Sequence, residues 1–597
     1  MRSPRVNDKG VAPKYESLLL PIARNKATID NEVLRVNSSA VPRILLIPYL
    51  WAGAITAAVA LPWLAPGYLF GTDWAGPRFI RWPTQLSSSA PFEAALSAVS
   101  AVVSAEIAAK ILVLTVVFVA ALGAYLALPR GEFVPRAAGS LIYVLNPFVY
   151  GRLHYGQLFL IAAYAVLPWL ASWVYRLLVE PGWRNGLWLA ATVAILAMLA
   201  VHLLLVVALF LGTAVISAVV YHRFRLAYLA RVGLGLGVAG LATLLISLYW
   251  LIPYLGGNTV ESQVIARVGN ADLAAYSVVS DPSVGLLRNL LGLYGFWAEG
   301  VHRFPSLKLF VPGWELVVIA MLVLSAIGTL FVFVVRNETL RSLRWWVTAL
   351  VLAGLAGLIL EAGVADPHTA PLVRWLDTVF PPYRGMRDSG KWASILALVY
   401  AQLIPLGLIG IGEGLKGLFK KTTVRDGSSA ILAAIAVALP LYYGNGLLFG
   451  MHGEIKPSQY PAGWYMADRA MLADPRHDRA LFLPWHHYLR ISFVRNLNSV
   501  IASPAQGFFS IPIVVSGDPE VPGIAPPASE DQRAVQALVN AGGAGDWGHV
   551  LALLQIRYVV LAKEVDWENF HYLDQQTGLA RIADYGSVVL YRVMANN

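Results

Sequence analysis

Runs of apolar residues recur along the whole chain, separated by short basic segments or by longer aromatic ones. Most runs hold the roughly 20 apolar residues that a membrane-crossing helix needs. The run over 186–221 would be roughly 54 Å long as one helix, so we expect two helices with a turn near His202. The pattern predicts about eleven membrane spans, over 44–64, 108–128, 137–149, 158–178, 186–221 (two), 232–255, 311–335, 345–360, 392–411 and 429–449.

The loops on one side of this predicted bundle are basic. Two of them carry Arg223, Arg225 and Arg231, and then Arg336, Arg341 and Arg344. Because Lys and Arg are enriched in cytoplasmic loops, we expect a multi-pass protein of the plasma membrane with a cytoplasmic N-terminus. Its predicted parts are an N-terminal segment (1–43), a membrane domain (44–449) with large outer loops (65–107, 256–310 and 361–391), and an extracytoplasmic domain (450–597).

The predicted outer domain alternates between strand and helix patterns. Short apolar runs at 479–484 and 557–562 are typical of buried strands, and 579–584 with 588–593 predicts a closing hairpin. Residues 530–541 and 547–554 have the periodicity of helices. The expected fold is therefore a mainly α-helical polytopic membrane protein with a C-terminal α/β domain.

Composition agrees with this picture and removes several classes of function. Charged residues make up 13% and hydrophobic residues 57% of the chain, whereas soluble domains have about 25% charged residues. The absence of Cys excludes disulfides, thiolate metal sites and Cys nucleophiles. The net charge of +10 is spread over loops and does not form one basic face, so we expect no nucleic-acid partner.

The first outer loop contains the segment PGYLFGTDWAGPRFIRWP, with Asp73 shortly after the first span. A carboxylate beside Gly71 and Trp74 near the membrane surface can be partly desolvated, which suits it to general-base work or metal binding. Arg78 and Arg81 follow at a spacing that could meet an anionic headgroup. The alternative is an N-cap Asp with interfacial Trp and Arg anchors.

Polar residues also interrupt the apolar pattern of later segments. LNPFVYGRLHYGQLF places Arg152, His154 and Gln157 between two spans, where polar groups are costly and often functional; the alternative is a capped helix turn. His202 is either a packing residue or a ligand. After an amphipathic pattern over 282–294, typical of a membrane-surface helix, Glu299 and His302 are candidates for substrate binding or for a solvated loop.

The third outer loop ends in PPYRGMRDSGKW, just before a span. Arg384, Arg387 and Lys391 lie on the outer side, against the positive-inside bias. Three cations at a helix start predict a phosphate or diphosphate site, and the alternative is anchoring to anionic lipid. The chain has no P-loop, GxSxG or HExxH motif, and the adjacent pair His486-His487 is a weak metal motif.

Together, the outer-loop Asp73, LNPFVYGRLHYGQ, SDPSVGLLRNLLGLYGFW, YRGMRDSGKW and a final IRYVVLAKEVDW segment resemble the large GT-C-type membrane glycosyltransferases. The similarity extends over about 45–593 and is strongest to the YfhO-like and bacterial arabinofuranosyltransferase branches. It implies transfer of a sugar from a polyprenyl-phosphate donor to a glycan, lipid or protein acceptor outside the membrane.

The resemblance also implies roles for particular residues. Asp73 would be the general base or would hold a divalent cation (Mg²⁺ or Mn²⁺), while Arg384, Arg387 and Lys391 would bind the donor phosphate. Many relatives carry two acidic residues where this chain has only Asp73, which leaves metal use open. One alternative is a transporter or flippase of lipid-linked sugars, but such proteins usually have ionisable residues within the membrane, and this chain has few. Another alternative is a non-catalytic scaffold that binds cell-envelope polymer.

Overall fold

Apolar helices form most of the computed structural model, which describes residues 41–129, 131–419, 422–476, 478–496, 500–521, 524 and 529–594. Most of the predicted segment 1–43 lies outside these residues. Trp51–Asn597 forms one compact unit, and within Met1–Leu50 the structure describes only the start of the first helix. Nine described stretches are long and apolar enough to cross a membrane. The multi-pass architecture is thereby confirmed.

The helices of the predicted membrane domain are α1 (Val41–Ala60), α2 (Ala90–Val103), α3 (Ala105–Ala127), α4 (Phe133–Val144), α5 (Pro147–Tyr155), α6 (Leu158–Val179), α7 (Trp183–Ala200), α8 (Leu204–Tyr221), α9 (Leu226–Leu255), α10 (Val260–Arg267), α11 (Asn270–Ala275), α12 (Gly285–Leu291), α13 (Trp297–Gly300), α14 (Trp314–Val334), α15 (Glu338–Arg341), α16 (Arg344–Ala362), α17 (Ala370–Val379), α18 (Ala393–Leu418) and α19 (Thr422–Tyr443). The apolar stretch Trp183–Tyr221 breaks at Val201–Leu203, at the position where a turn near His202 was predicted.

Small residues allow close contact between helices in the membrane domain. A Cβ atom on Gly328 of α14 would lie 2.2 Å from the Leu403 carbonyl oxygen, and one on Gly407 of α18 would lie 2.1 Å from the Leu324 carbonyl oxygen. Neither position has room for a side chain, so the backbones of α14 and α18 touch. Interfaces of this kind are common in membranes, where association depends on close van der Waals packing.

The C-terminal part contains helices α20 (Ala462–Leu472), α21 (Ala505–Phe508), α22 (Glu530–Ala541) and α23 (Trp547–Leu553). Its strands are β1 (Arg479–Leu483), β2 (Tyr488–Arg490), β3 (Val500–Ala502), β4 (Ile513–Val514), β5 (Ile556–Ala562), β6 (Leu579–Asp584) and β7 (Val588–Val593). In the described residues these form a five-stranded sheet of order β4-β1-β5-β7-β6 and a β2–β3 pair. Strand β1 is parallel to β4 and β5, whereas β7 is antiparallel to its neighbours.

The first outer loop is bonded along its length to residues 450–597. Tyr68 and Ser458 exchange two backbone hydrogen bonds, of 2.8 and 2.9 Å, and the Ala502 N–H donates to the Thr72 carbonyl oxygen at 2.7 Å. The ring of Phe70 is fully buried in one core of the C-terminal part. The loop that carries the candidate base is therefore held by the outer part of the chain.

A buried ion pair joins helix α5 to the third outer loop. Arg152, on α5, donates two hydrogen bonds to the carboxylate of Asp388, one of them Nη2 to Oδ1 at 3.0 Å. Both side chains are almost fully buried, and the guanidinium carbon lies 3.8 Å from the centre of the Phe296 ring. Because each buried charge needs its partner, this pair fixes α5 relative to the loop that precedes α18.

Two sequence expectations need adjustment. The amphipathic pattern over 282–294 forms only the short helix α12. Its residues Leu290 and Tyr294 are buried in the protein, whereas Leu287 is 59% exposed, so its place at the membrane surface stays a prediction. Strands β2, β3 and β4 were not predicted, because two or three residues are too few to show a period.

We predict that Phe70→Ala lowers the free energy of unfolding by about 3–5 kcal/mol, because the vacated core space cannot close fully. Thermal unfolding of the purified protein in detergent measures this change. Phe79→Ala, which removes a ring that is 38% exposed, serves as the matched control. Equal midpoints for the two variants would contradict the anchoring role of Phe70.

We also predict that Asp388→Asn destabilises the protein by about 3–5 kcal/mol, since it leaves the Arg152 charge buried without a partner. The double variant Arg152→Met, Asp388→Leu should recover most of that loss. Asp426→Asn, at an ion pair whose side chains are exposed, should change stability by less than about 1 kcal/mol. Thermal midpoints of all four proteins test the prediction, which fails if the single and double variants unfold together.

Candidate active site

Asp73 is held in place by hydrogen bonds from three directions. Its backbone N–H donates to the Tyr155 carbonyl oxygen at 2.6 Å, and the phenol of Tyr488 donates to its Oδ1 at 2.8 Å. The side chain of Gln157 is a further hydrogen-bond partner. The site thus combines the first outer loop, the segment after α5 and strand β2.

The surroundings of Asp73 make its carboxylate more basic than usual. The carboxylate touches solvent inside a cavity but is enclosed by protein further out. Although the residue is solvent-exposed, the surrounding protein desolvates the carboxylate and raises the pKa of Asp73 to about 6, while the hydrogen bonds from Tyr488 and Gln157 and the charge of Arg303 oppose the rise. A base with a pKa close to neutrality can accept a proton in a reaction and release it afterwards.

The cavity in front of Asp73 has a volume of about 150 Å³. Its wall combines the carboxylate with aromatic rings and cations. The lining residues are Asp73, Tyr155, Gln157, Tyr276, Trp297, Arg387, Asp388, Lys391, Tyr488, Pro519 and Val521. A small polar molecule in this space would contact both a carboxylate and positively charged side chains.

Arg387 and Lys391 form the cationic side of this small cavity. The guanidinium of Arg387 lies over the Tyr276 ring, 5.1 Å from its centre, and Lys391 Nζ donates to the Gly385 carbonyl oxygen at 2.9 Å. In the described ranges neither cation has an acidic partner within ion-pair distance, since both oxygens of Asp388 face Arg152. Their charge is therefore available to an anionic ligand.

A larger cavity of about 800 Å³ shares Arg387 and Lys391 with the small one. Apolar residues at the ends of membrane helices line much of it, among them Val201, Leu204, Trp250 and Leu251. Arg81, His202 and Arg384 also face this space. The two cavities thus meet at a cationic wall, with a sugar-sized polar space on one side and an apolar space on the other.

The structure brings seven of the sequence candidates to these cavities. Asp73, Gln157, Arg387 and Lys391 line the small one, and Arg81, His202 and Arg384 line the large one. Arg384 also lies 3.4 Å from Asp377, so it is less available to a ligand. Arg152 does not line either cavity, but its Nη1 donates to Oε1 of the cavity residue Gln157 at 2.9 Å.

The other four candidates lie away from both cavities. Arg78 forms an ion pair of 2.7 Å with Asp468, and His154 lies 3.0 Å from Glu454. Burial raises the pKa of Glu299, which lies near Ser306, and His302 is exposed in a loop. These contacts join loops of the protein to one another, so these residues do not enter the mechanism below.

Sequence reasoning missed the aromatic part of the site. Tyr488, next to the conspicuous His486-His487 pair, bonds to Asp73, and Arg303 lies 4.7 Å from the centre of the Tyr488 ring. Burial and the negative charge of Asp73 raise the pKa of Tyr488 far above its usual value, which keeps the phenol a hydrogen-bond donor. Its position in a Trp- and His-rich segment was the only sequence signal for it.

Metal binding stays a prediction. The described residues contain no group of three or more His, Asp or Glu side chains able to hold a metal ion. In the small cavity, Asp73 could supply one carboxylate ligand, whereas Asp388 is bonded to Arg152. Mg²⁺ commonly uses one or two carboxylates with substrate phosphate and water.

Comparisons with known proteins give matches among solved structures only. No family model and no curated protein matches this chain. The arabinofuranosyltransferase AftD from Mycobacteria matches with a TM-score of 0.56 at 16% identity, over 93% of this chain and 40% of AftD. An R1389S mutant of AftD matches over similar shares, 93% and 41%, with a TM-score of 0.54 and 14% identity.

A weaker match is the oligosaccharyltransferase AglB from Archaeoglobus fulgidus, with a TM-score of 0.36, 12% identity, and coverage of 86% of this chain and 65% of AglB.

This chain spans about two-fifths of the length of AftD. At such identities the likeness concerns the fold. The chain shares its fold with the matched part of AftD.

Proposed function

We propose that this protein is a membrane glycosyltransferase that takes a sugar from a polyprenyl-phosphate donor and transfers it to a hydroxyl of a glycan, lipid or protein acceptor. One observation carries the proposal. Asp73, Arg387 and Lys391 line one small cavity, and the same two cations border the large, mainly apolar cavity. The GT-C-type fold supports the same function.

Each part of the donor matches one part of the site. The apolar cavity suits the polyprenyl chain, Arg387 and Lys391 suit the phosphate, and the 150 Å³ cavity suits one sugar ring. Tyr155, Tyr276, Trp297 and Tyr488 give the sugar space the aromatic faces that pack against its C–H groups. A lipid-linked donor reaches such a site from the bilayer, which explains why the apolar cavity lies between helix ends.

In the proposed reaction Asp73 accepts the proton of the acceptor hydroxyl as the oxygen attacks the anomeric carbon. The new C–O bond forms while the bond between that carbon and the phosphate oxygen breaks. The electron pair of the broken bond stays on the lipid phosphate, whose added charge Arg387 and Lys391 stabilise. The proton leaves Asp73 to solvent before the next turnover.

Orientation follows from the basic loops. We place the N-terminus in the cytoplasm and the cavity of Asp73 on the outer side, because Arg223, Arg225 and Arg231 follow α8 on the opposite side. The acceptor would then belong to the cell envelope, and surrounding membrane lipids would contact the apolar helices.

We predict that Asp73→Asn lowers turnover by about 10²- to 10⁴-fold, because the amide cannot accept the proton. The assay incubates purified protein with a panel of polyprenyl-phosphate sugars and oligosaccharide acceptors and measures sugar transfer. Asp426→Asn, at a distant and exposed position, should leave turnover unchanged. Wild-type turnover in the Asp73 variant would exclude Asp73 as the base.

The pH dependence of kcat/KM gives a second test of the role of Asp73. Since Asp73 works as the carboxylate and its pKa is raised to about 6, kcat/KM should fall as the pH drops below about 6. The Tyr488 hydrogen bond favours the carboxylate, so Tyr488→Phe should move this acid limb to higher pH. A limb near pH 4, the ordinary Asp range, would contradict the described environment.

We predict that Arg387→Gln weakens binding of polyprenyl phosphate, without a sugar, by about 10- to 100-fold, the worth of a hydrogen bond to a charged group. Equilibrium binding to protein in detergent measures this loss. Arg469→Gln removes an exposed Arg of the outer part and is the control for net charge. Identical affinities in the two variants would remove Arg387 from the phosphate site.

A further inference from the structure

Helix α17 lies in the third outer loop, between the end of α16 and the start of α18. Its residues Ala370, Val373 and Asp377 are buried against the protein. At 100° per residue, these three positions form one side of the helix. Leu376 also packs partly against the core, and the remaining residues of α17 are exposed.

The outward residues of α17 separate into two further sides. Leu372, Trp375 and Val379 are 41%, 58% and 54% exposed and form an apolar stripe at i, i+3 and i+7. Arg374 and Thr378, also exposed, lie on the third side. A helix between protein and water has two kinds of side, whereas a helix at a membrane surface has three.

The ends of the loop place this helix at the membrane surface. The loop leaves one predicted membrane-crossing stretch, Glu338–Ala362, and enters the next, Ser389–Leu418. The apolar stripe thus belongs to a loop whose two ends both lie at the boundary of the membrane domain, and Trp is enriched at membrane–water interfaces. We propose that α17 lies in the membrane–water interface on the side of Asp73, with bilayer lipid covering Leu372, Trp375 and Val379.

If the proposed function is correct, this position gives α17 a role in the entry of the donor. Phe380, which follows α17 and is 44% exposed, lines the large apolar cavity together with Pro382. Trp82, which is 64% exposed, lines the same cavity from the first outer loop. Helix α17 therefore forms a lipid-covered rim of the cavity, past which the polyprenyl chain of the donor enters.

The absence of Cys allows a direct test of the interface. Single-cysteine variants at Trp375 and Val379, and matched ones at Arg374 and Thr378, are spin-labelled in nanodiscs. Collision with oxygen, which concentrates in lipid, is compared with collision with a water-soluble nickel chelate. Labels at 375 and 379 should favour oxygen, whereas labels at 374 and 378 should favour nickel.

Equal nickel access at all four positions would overturn the membrane position of α17. Spin–spin broadening between labels at 375, dependent on the number of copies per nanodisc, would show that a second copy covers the stripe, which also overturns it. Because these measurements need no turnover, their result is independent of whether the protein transfers sugar.

The rim role has its own test. Trp375→Glu should raise KM at least about 10-fold for a long-chain donor and leave KM unchanged for a short, water-soluble one, because only the long chain enters through lipid. Thr378→Glu, on the polar side, is the matched control. If the spin labels report lipid but Trp375→Glu leaves the long-chain KM unchanged, the rim role is wrong while the interface position stands.

Discussion

The buried pair between Arg152 and Asp388 is the interaction on which the rest of the site depends. Both carboxylate oxygens of Asp388 accept hydrogen bonds from Arg152. Arg387 and Lys391, on either side of Asp388 in sequence, therefore have no acidic partner in the described chain. The same guanidinium bonds to Gln157, which in turn bonds to Asp73. One ion pair therefore leaves the cationic wall charged and sets its position relative to the base.

The second constraint is the shared wall between two spaces of opposite character. The phosphate of a lipid phosphate is stabilised by water, whereas its hydrocarbon chain is stabilised by an apolar environment. Bulk water suits only the phosphate. Arg387 and Lys391 lie at the boundary between the two cavities and resolve this conflict. In the proposed reaction the fixed cations replace solvent where charge develops, a form of electrostatic stabilisation that is usually large in enzymes.

Sequence patterns predicted the parts of this protein that depend on local periodicity. The apolar runs, the break near His202 and the four longer strands of the sheet agree with the structure, and Asp73, Arg387 and Lys391 do line one cavity. Pairings across hundreds of residues left no local signal. Arg78 could not be recognised as the partner of Asp468, nor Tyr488 as that of Asp73. Helix α17 was missed because its segment was assigned to an outer loop, although Leu372, Trp375 and Val379 recur at i, i+3 and i+7.

The bond between Tyr488 and Asp73 joins residues 415 positions apart, and this distance has a consequence for synthesis. The membrane helices can insert one after another as the chain leaves the ribosome, but the loop of Phe70 and Asp73 waits for strands made hundreds of residues later. A nascent chain can therefore occupy the membrane, with its apolar cavity already formed, before its base has been positioned. On the proposed function, donor lipid that enters before translation has passed the sheet would meet a site whose base is not yet positioned.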